Sequence, residues 1–360
     1  MRPVHAIRPV HALRAVRRGL LAATLALVAL PAGALEGTPA GGLDPRAAEQ
    51  QVQRQQSQPM NNAPVWSEVR SGQPQSTAVQ GRETGVLIQA GGERWRNIRN
   101  GIIAPWGAAL LLAGALAVLA VFLWKGPVRI AGPLSGRMIL RFRYSQRFIH
   151  WSVATLFVLL GLSGLNLAFG RYILRPLIGA TLFGWLGELS KLVHNLAGPL
   201  FAVFVVLGAV AFMRDCLPRA YDVRWLLTGG GAIGGRDVPA GKFNAGQKVW
   251  FWGGLLFFGL IMSVSGFVLD FPNMDQTRAT MQLCQLLHSA AAVVFIALSF
   301  FHIYLGTVGQ EGAFDAMRTG WVDETWARQH HELWYNDVMS GKEPQAEGEP
   351  RAAPPGLANP

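Results

Sequence analysis

The chain has 360 residues, of which 51% are hydrophobic and only 15% are charged, with a formal net charge of +11. Several apolar runs exceed the roughly 18 residues that cross a bilayer, so they predict a membrane protein with helical spans, and the lack of alternating polarity excludes a β-barrel porin. Basic residues flank the apolar runs instead of forming one basic face, which argues against a nucleic-acid partner. Cys216 and Cys284 are too few for a disulfide framework or a cysteine-held metal cluster.

The N-terminus has the features of a secretory signal. Arg14, Arg17 and Arg18 directly precede the apolar stretch 20–30, which is followed by Pro31 and small residues. A run of about 11 residues is too short to span a bilayer, so a signal peptide over residues 1–34 is favoured over an uncleaved anchor. Residues 35–100, rich in Gln, Pro, Asn and Gly, are then predicted to be periplasmic and largely irregular.

Five apolar segments are candidate membrane spans. They lie at about 104–124, 149–169, 190–213, 248–269 and 284–307. The connections after the first and third spans carry the most Lys and Arg, which predicts that both are cytoplasmic and the mature N-terminus periplasmic. The predicted fold is therefore an all-α membrane protein: an additional transmembrane helix over 101–125, a four-helix bundle within 126–308, and a cytoplasmic tail over 309–360.

Four histidines inside the spans are candidate cofactor ligands, because ionisable groups are rare there and usually functional. The predicted topology puts His194 and His288 at the outer level (the outer pair), and His150 and His302 at the inner level (the inner pair). The 14 residues between His288 and His302 place both on one helix face, about 21 Å apart along the axis. Two imidazoles on one iron are typical of an electron-carrying haem, so the pattern predicts two b-type haems.

Two features leave alternatives to this interpretation. The small residues Gly164 and Gly198 leave room for a macrocycle between helices, but such residues also simply pack helices together. The histidines themselves could form hydrogen bonds between helices or relay protons in a haem-free anchor or transporter.

A polar loop precedes the fourth span at the level of His302. Its sequence, GKFNAGQK at 241–248, offers donors and a proton source to a quinone head group. An equally supported alternative is an ordinary helix start, with Asn244 as the cap and Lys248 at the lipid headgroups. The glycine-rich segment 228–235 lacks the ending of a phosphate loop and is interpreted as a flexible turn.

From Arg147 onward, over about residues 140–338, the sequence resembles the gamma subunit, cytochrome b556, of membrane-bound respiratory formate dehydrogenases. The matching stretches are RFIHW (147–151), LSG (162–164), HNLAG (194–198), KFNAGQK (242–248), LHSAA (287–291), HIY (302–304), WARQHH (326–331) and WY (334–335). Residues 35–124 resemble the longer form of this subunit. His330 and His331 lie in the polar tail, where we expect surface or partner contacts, with metal binding as the alternative.

The resemblance implies ligands, a pocket and partners. It implies that the outer pair and the inner pair each hold one haem b, and that Asn244, Gly246 and His302 line a menaquinone or ubiquinone pocket. Electrons would come from a periplasmic iron–sulfur beta subunit, fed by a molybdenum or tungsten alpha subunit that holds the formate oxidation site. A similar scaffold serves hydrogenases and thiosulfate or polysulfide reductases, which are the alternative complexes.

Overall fold

The structure, a computed structural model, describes residues 91–231 and 238–343 together with residues 49, 53, 70 and 71. The predicted signal peptide over 1–34 lies outside the described residues, and so does most of the predicted irregular segment. The last part of the predicted irregular segment is not irregular, since a helix begins at Gly91. Residues 232–235 of the predicted flexible turn are also outside the described residues, and the part before them includes a short 3-10 helix, Gly229–Gly231.

The described residues are mostly helical, as predicted. In chain order they form α1 (Gly91–Asn97), α2 (Ala104–Lys125), β1 (Met138–Leu140), α3 (Tyr144–Phe212), α4 (Ala220–Leu227), α5 (Ala245–Val249), α6 (Gly259–Asp270), α7 (Arg278–Thr307), α8 (Ala313–Arg318), β2 (Trp321–Asp323), α9 (Glu324–His330) and α10 (Glu332–Met339). Two π-helical segments, Ile98–Ile103 and Trp250–Phe258, precede α2 and α6.

Four helical stretches are long and apolar enough to cross a membrane. They are Gly91–Lys125, Tyr144–Phe212, Ala245–Asp270 and Arg278–Thr307. The chain is therefore an all-α membrane protein.

The stretch that forms α3 is a helical hairpin rather than one span. Its 69 residues would extend about 100 Å as a straight helix, more than three times the apolar core of a bilayer. Gly179, with φ of 80°, breaks it into two arms, 144–178 and 180–212. Contacts between the arms run in antiparallel order and join Phe148 to Phe204, Ser163 to His194, and Asn166 to Ser190. The second and third predicted spans are these two arms, and their connection is helical.

The extra N-terminal span packs on α7. A Cβ on Gly107 of α2 would lie 3.0 Å from Val293, and one on Gly114 would lie 3.5 Å from Ala297. Glycines let the two helices approach closely. Close packing then stabilises the helix pair, because the hydrophobic effect does not drive helices together inside a lipid bilayer. The helix that carries His288 and His302 is thereby supported along its side.

The described residues after α7, 308–343, fold into a compact unit, the C-terminal cap, within the predicted tail. Strand β2 pairs antiparallel with β1, with Val322 opposite Ile139. Buried aromatic residues fill the interior of this C-terminal cap and contact the ends of α3 and α5. The cluster includes Phe142, Phe212, Phe251, Trp326 and Trp334.

Candidate functional site: two histidine pairs

The structure places the four histidines in the two pairs that the depth argument predicts. The ring centroids are 6.1 Å apart in the outer pair and 6.3 Å apart in the inner pair. Two imidazoles bound to opposite faces of one metal ion, each at about 2 Å with the ring centre about 1 Å further back, have centroids about 6 Å apart. Both gaps therefore fit an iron between the rings.

The outer pair is seated by two serine–glycine dipeptides. Ser163 Oγ lies 2.9 Å from His194 Nδ1, and Ser265 Oγ lies 2.9 Å from His288 Nδ1. The glycine that follows each serine lies against the same ring. A Cβ on Gly164 would lie 3.1 Å from His194 Cε1, and one on Gly266 would lie 3.4 Å from His288 Cε1. Each outer-pair imidazole thus contacts a Ser-Gly dipeptide on a neighbouring helical segment. We call the dipeptides 163–164 and 265–266 the Ser-Gly seats.

The inner pair has different neighbours. Trp250, in the π-helical segment, stacks on His302 with 4.7 Å between centroids and 12° between planes. Two buried polar atoms at this level, His150 Nδ1 and Arg147 Nε, have no hydrogen-bond partner in the part of the chain that the structure describes. Arg147 also donates through Nη1 to the carbonyl of Arg318 at 2.6 Å. An unpaired buried guanidinium nitrogen suits an anionic group such as a haem propionate.

A layer of aromatic rings separates the two levels. Phe295 lies on α7 seven residues from both His288 and His302, and it is buried. Its ring packs against Phe157 at 4.8 Å, Phe258 at 5.6 Å and Trp250 at 5.7 Å between centroids. This packing fills the space between the pairs with apolar side chains.

The polar loop begins α5, as the helix-start alternative predicts. Asn244 caps the helix, since its Oδ1 accepts from Gln247 N at 2.9 Å while Gln247 Oε1 accepts from Asn244 N at 3.0 Å. This cap leaves the side-chain amide nitrogen of Asn244, Nδ2, available as a donor. Gly246 lies under the ring of Trp225, and a Cβ there would be 2.9 Å from it. Four residues further on, Trp250 reaches His302.

Lys248 is not at the lipid headgroups, and that expectation is wrong. Its side chain is buried, and Nζ lies 2.8 and 3.1 Å from the carboxylate oxygens of Asp222. A buried cation needs a partner, and Asp222 on α4 provides one. A groove of about 340 Å³ lies beside the pair and is lined mainly by apolar side chains, among them Leu226, Val249 and Trp252.

His331 is buried in the C-terminal cap, so the expected surface contact is wrong for this residue. Its Nδ1 lies 2.7 Å from the carbonyl of Gly241, and its Nε2 lies 2.9 Å from Arg141 Nη2. The carbonyl can only accept, so Nδ1 carries the proton and Nε2 accepts from Arg141. Burial lowers the pKa of His331 well below 6.5, and the neighbouring guanidinium lowers it further. A neutral His331 therefore fastens the loop to the cap.

Arg141 holds the same loop from a second side. It donates to the carbonyl of Lys242 at 2.7 Å and lies over the rings of Phe142 and Trp326, each 4.9 Å away. Burial lowers its pKa to about 9, so it stays cationic at neutral pH. Within the described ranges, no carboxylate pairs with it.

Sequence reasoning missed several residues of this site. Ser265, Gly266, Trp250 and Arg141 were not singled out, although the repeat of Ser-Gly at 163–164 and 265–266 was a visible signal. Of the quinone candidates, Asn244 caps α5 and Gly246 lies in its first turn. The contact that links this segment to His302 is made by Trp250.

Comparisons with known proteins give a consistent result. A family model described as prokaryotic cytochrome b561 matches residues 141–320. The chain is 29% identical, over 214 residues, to the formate dehydrogenase cytochrome b556(fdo) subunit of Escherichia coli (strain K12), which covers 58% of this chain and 97% of that protein. It is 27% identical to the nitrate-inducible cytochrome b556(Fdn) subunit of the same strain, over 56% of this chain and 92% of the relative. The formate dehydrogenase cytochrome b556 subunit of Haemophilus influenzae is 27% identical, over 57% of this chain and 85% of the relative.

Proposed function

We propose that this chain, which belongs to the prokaryotic cytochrome b561 family, is the membrane cytochrome b subunit of a formate dehydrogenase complex that passes electrons to quinone. The observation that carries this proposal is the presence of two histidine pairs, each with its centroids about 6 Å apart, on helices that span the membrane. The names of the relatives, all formate dehydrogenase cytochrome subunits, supply the complex.

Two haem b groups are the cofactors in this proposal. His194 and His288 would hold one, and His150 and His302 the other. Haem iron bound by two imidazoles supplies one-electron chemistry without an open position for oxygen. The chain contributes ring orientation through Ser163, Ser265 and the stacked Trp250. Its apolar side chains around Phe295 exclude water from the space between the pairs.

Menaquinone or ubiquinone is the proposed acceptor, at the inner pair. The side-chain amide nitrogen of Asn244 remains available as a donor to a quinone carbonyl. Gly246 lies four residues before Trp250 in the chain, and the ring of His302 stacks on Trp250. The apolar groove beside α5 has room for part of an isoprenoid tail. The buried cation of Arg141, behind the loop, favours negative charge on a bound head group.

The partners in this proposal are an iron–sulfur subunit at the outer level and a molybdenum or tungsten subunit beyond it. The outer pair then faces the periplasm and the C-terminal cap faces the cytoplasm of a bacterial inner membrane. This orientation follows the excess of Lys and Arg in the connections at the inner level. Formate oxidation itself belongs to another subunit.

Purification of the tagged chain from its own cells tests the proposal. We expect a reduced α-band of b-type haem, two haems per chain by pyridine haemochrome, and co-purifying iron–sulfur and molybdenum or tungsten subunits with formate-to-quinone activity. Co-purified hydrogenase or polysulfide reductase subunits would assign the cytochrome to a different complex. A chain without the b-type band would be a haem-free anchor or transporter, and the proposal would be wrong.

A further inference from the structure

The outer pair and the inner pair differ in the partner of the imidazole nitrogen that faces away from a metal. Each Ser-Gly seat places a hydroxyl 2.9 Å from Nδ1 of an outer-pair ring. At the inner pair, His150 Nδ1 has no hydrogen-bond partner among the described residues.

The direction of the two serine bonds follows from counting protons. A serine hydroxyl has a single proton. Ser163 Oγ lies 2.7 Å from the carbonyl of Leu159, and Ser265 Oγ lies 2.5 Å from that of Ile261, one helical turn earlier in each case. A carbonyl cannot donate, so each hydroxyl gives its proton to that oxygen. The serine oxygen must then accept from Nδ1–H of the histidine.

This bond fixes the tautomer of both outer rings. With the proton on Nδ1, the lone pair is on Nε2, which is the atom left to bind iron. The bond also pulls Nδ1–H towards the serine oxygen, and this raises the basicity of Nε2. A more basic ligand stabilises iron(III) over iron(II), so it lowers the reduction potential of the iron it binds.

We propose that Ser163 and Ser265 are positioning residues that fix the Nδ1–H tautomer of His194 and His288 and keep the outer haem at a lower reduction potential than the inner one. The inference rests on the proposed function, because it requires haem at the outer pair. It gives a common role to the Ser-Gly dipeptides at 163–164 and 265–266, which lie in α3 and α6 and each contact a histidine of the outer pair. With the lower potential at the outer level, electron flow towards the inner level is downhill.

A redox titration of the haem α-band in the purified complex tests this. The variants are Ser163→Ala, Ser265→Ala and the double variant, made in the wild type and in a His302→Ala background that retains only the outer site. Ser299→Ala is the matched control, since Ser299 is a buried serine whose hydroxyl donates to the carbonyl of Ile296 at 2.7 Å and, among the described residues, has no bond to a histidine.

We expect the outer component to shift to higher potential in each alanine variant and further in the double variant. A change on the order of tenfold in the iron(III) to iron(II) ratio corresponds to about 59 mV for a one-electron couple. Haem content and the low-spin electron paramagnetic resonance signal should persist with altered g values. Ser299→Ala should leave both components unchanged, and Ser163→Thr and Ser265→Thr should keep the wild-type potential.

Several outcomes would overturn the inference. An unchanged potential in the double variant with full haem content would do so, and so would an equal shift in Ser299→Ala or a shift to lower potential. If the alanine variants lose the outer haem, the threonine variants decide. Haem retained at the wild-type potential supports the bond, and haem lost in both contradicts it. A wild-type protein without any b-type band would contradict the proposed function instead.

Discussion

The outer and inner pairs have nearly the same separation but different surroundings. The outer rings are each held by a hydrogen bond and a glycine, whereas the inner ring of His302 is held by the face of Trp250. Hydrogen bonds fix a ring to one tautomer and one orientation, but a stacked indole fixes only its plane. The inner level also retains buried polar atoms on Arg147 and His150 that have no hydrogen-bond partner among the described residues. The outer rings are thus more completely fixed by their surroundings than the inner ones.

Removing one histidine from each level is the largest test of this comparison. His288→Ala and His302→Ala should each lower the haem content from two to one per chain, because each takes a ligand from only one pair. His302→Ala should also abolish quinone reduction while formate oxidation with an artificial acceptor persists. Pyridine haemochrome and both activity assays measure this.

A histidine outside the bundle is the control. His330→Ala should keep two haems. Quinol formation that survived His302→Ala would mean that electrons leave the protein by a different route.

Removing the stack on the inner ring should have a smaller effect. Trp250→Leu leaves all four histidines in place but frees the plane of His302, so we expect both haems to remain and quinone reduction to fall about tenfold. Trp185→Leu, at an exposed tryptophan of α3, controls for the loss of an indole. Equal losses in the two variants would show that Trp250 has no special role at the inner level.

The smallest expected effect concerns acid. The pKa of His331 in the folded cap lies well below the 6.5 of an exposed histidine, so below about pH 6.5 the unfolded chain binds a proton that the folded chain does not. Stability of the cap is therefore unaffected above that pH and falls as the pH drops below it. Hydrogen exchange of residues 321–339 at pH 7.5 and pH 5.5 measures this. In His331→Gln the contribution of this residue to the pH dependence should disappear.

Much of the fold was predictable, because membrane spans and their depth follow from run length and helical periodicity. The pairing of the histidines could be predicted for the same reason, and their role as haem ligands stays a prediction. The helical connection between the two arms of α3, interrupted only at Gly179, was not predictable, since it depends on backbone angles that the residue pattern did not specify. The serine seats were missed because they join residues 31 and 23 positions apart, and one sequence does not show which helices are neighbours.

The burial of His331 was also missed, because its immediate neighbours His330 and Glu332 are polar. Trp326 and Trp334, five residues before and three after it, carried the relevant signal. Both tryptophans are almost fully buried, and their rings pack near His331. Aromatic residues in a charged segment were a better guide to the core of the cap than the average polarity of the segment.

The anchoring of the 241–247 loop to the C-terminal cap has a practical consequence for anyone engineering this protein. Nδ1 of His331 donates to the carbonyl of Gly241, and the backbone amide of Leu333 donates to the carbonyl of Ala240. Lys242 forms a salt bridge with Glu343 at 3.4 Å. A truncation before α9 would keep all four histidines of the bundle but remove the residues of the cap that contact the loop. Affinity handles and fluorescent labels therefore belong beyond residue 343, because they then leave these contacts in place.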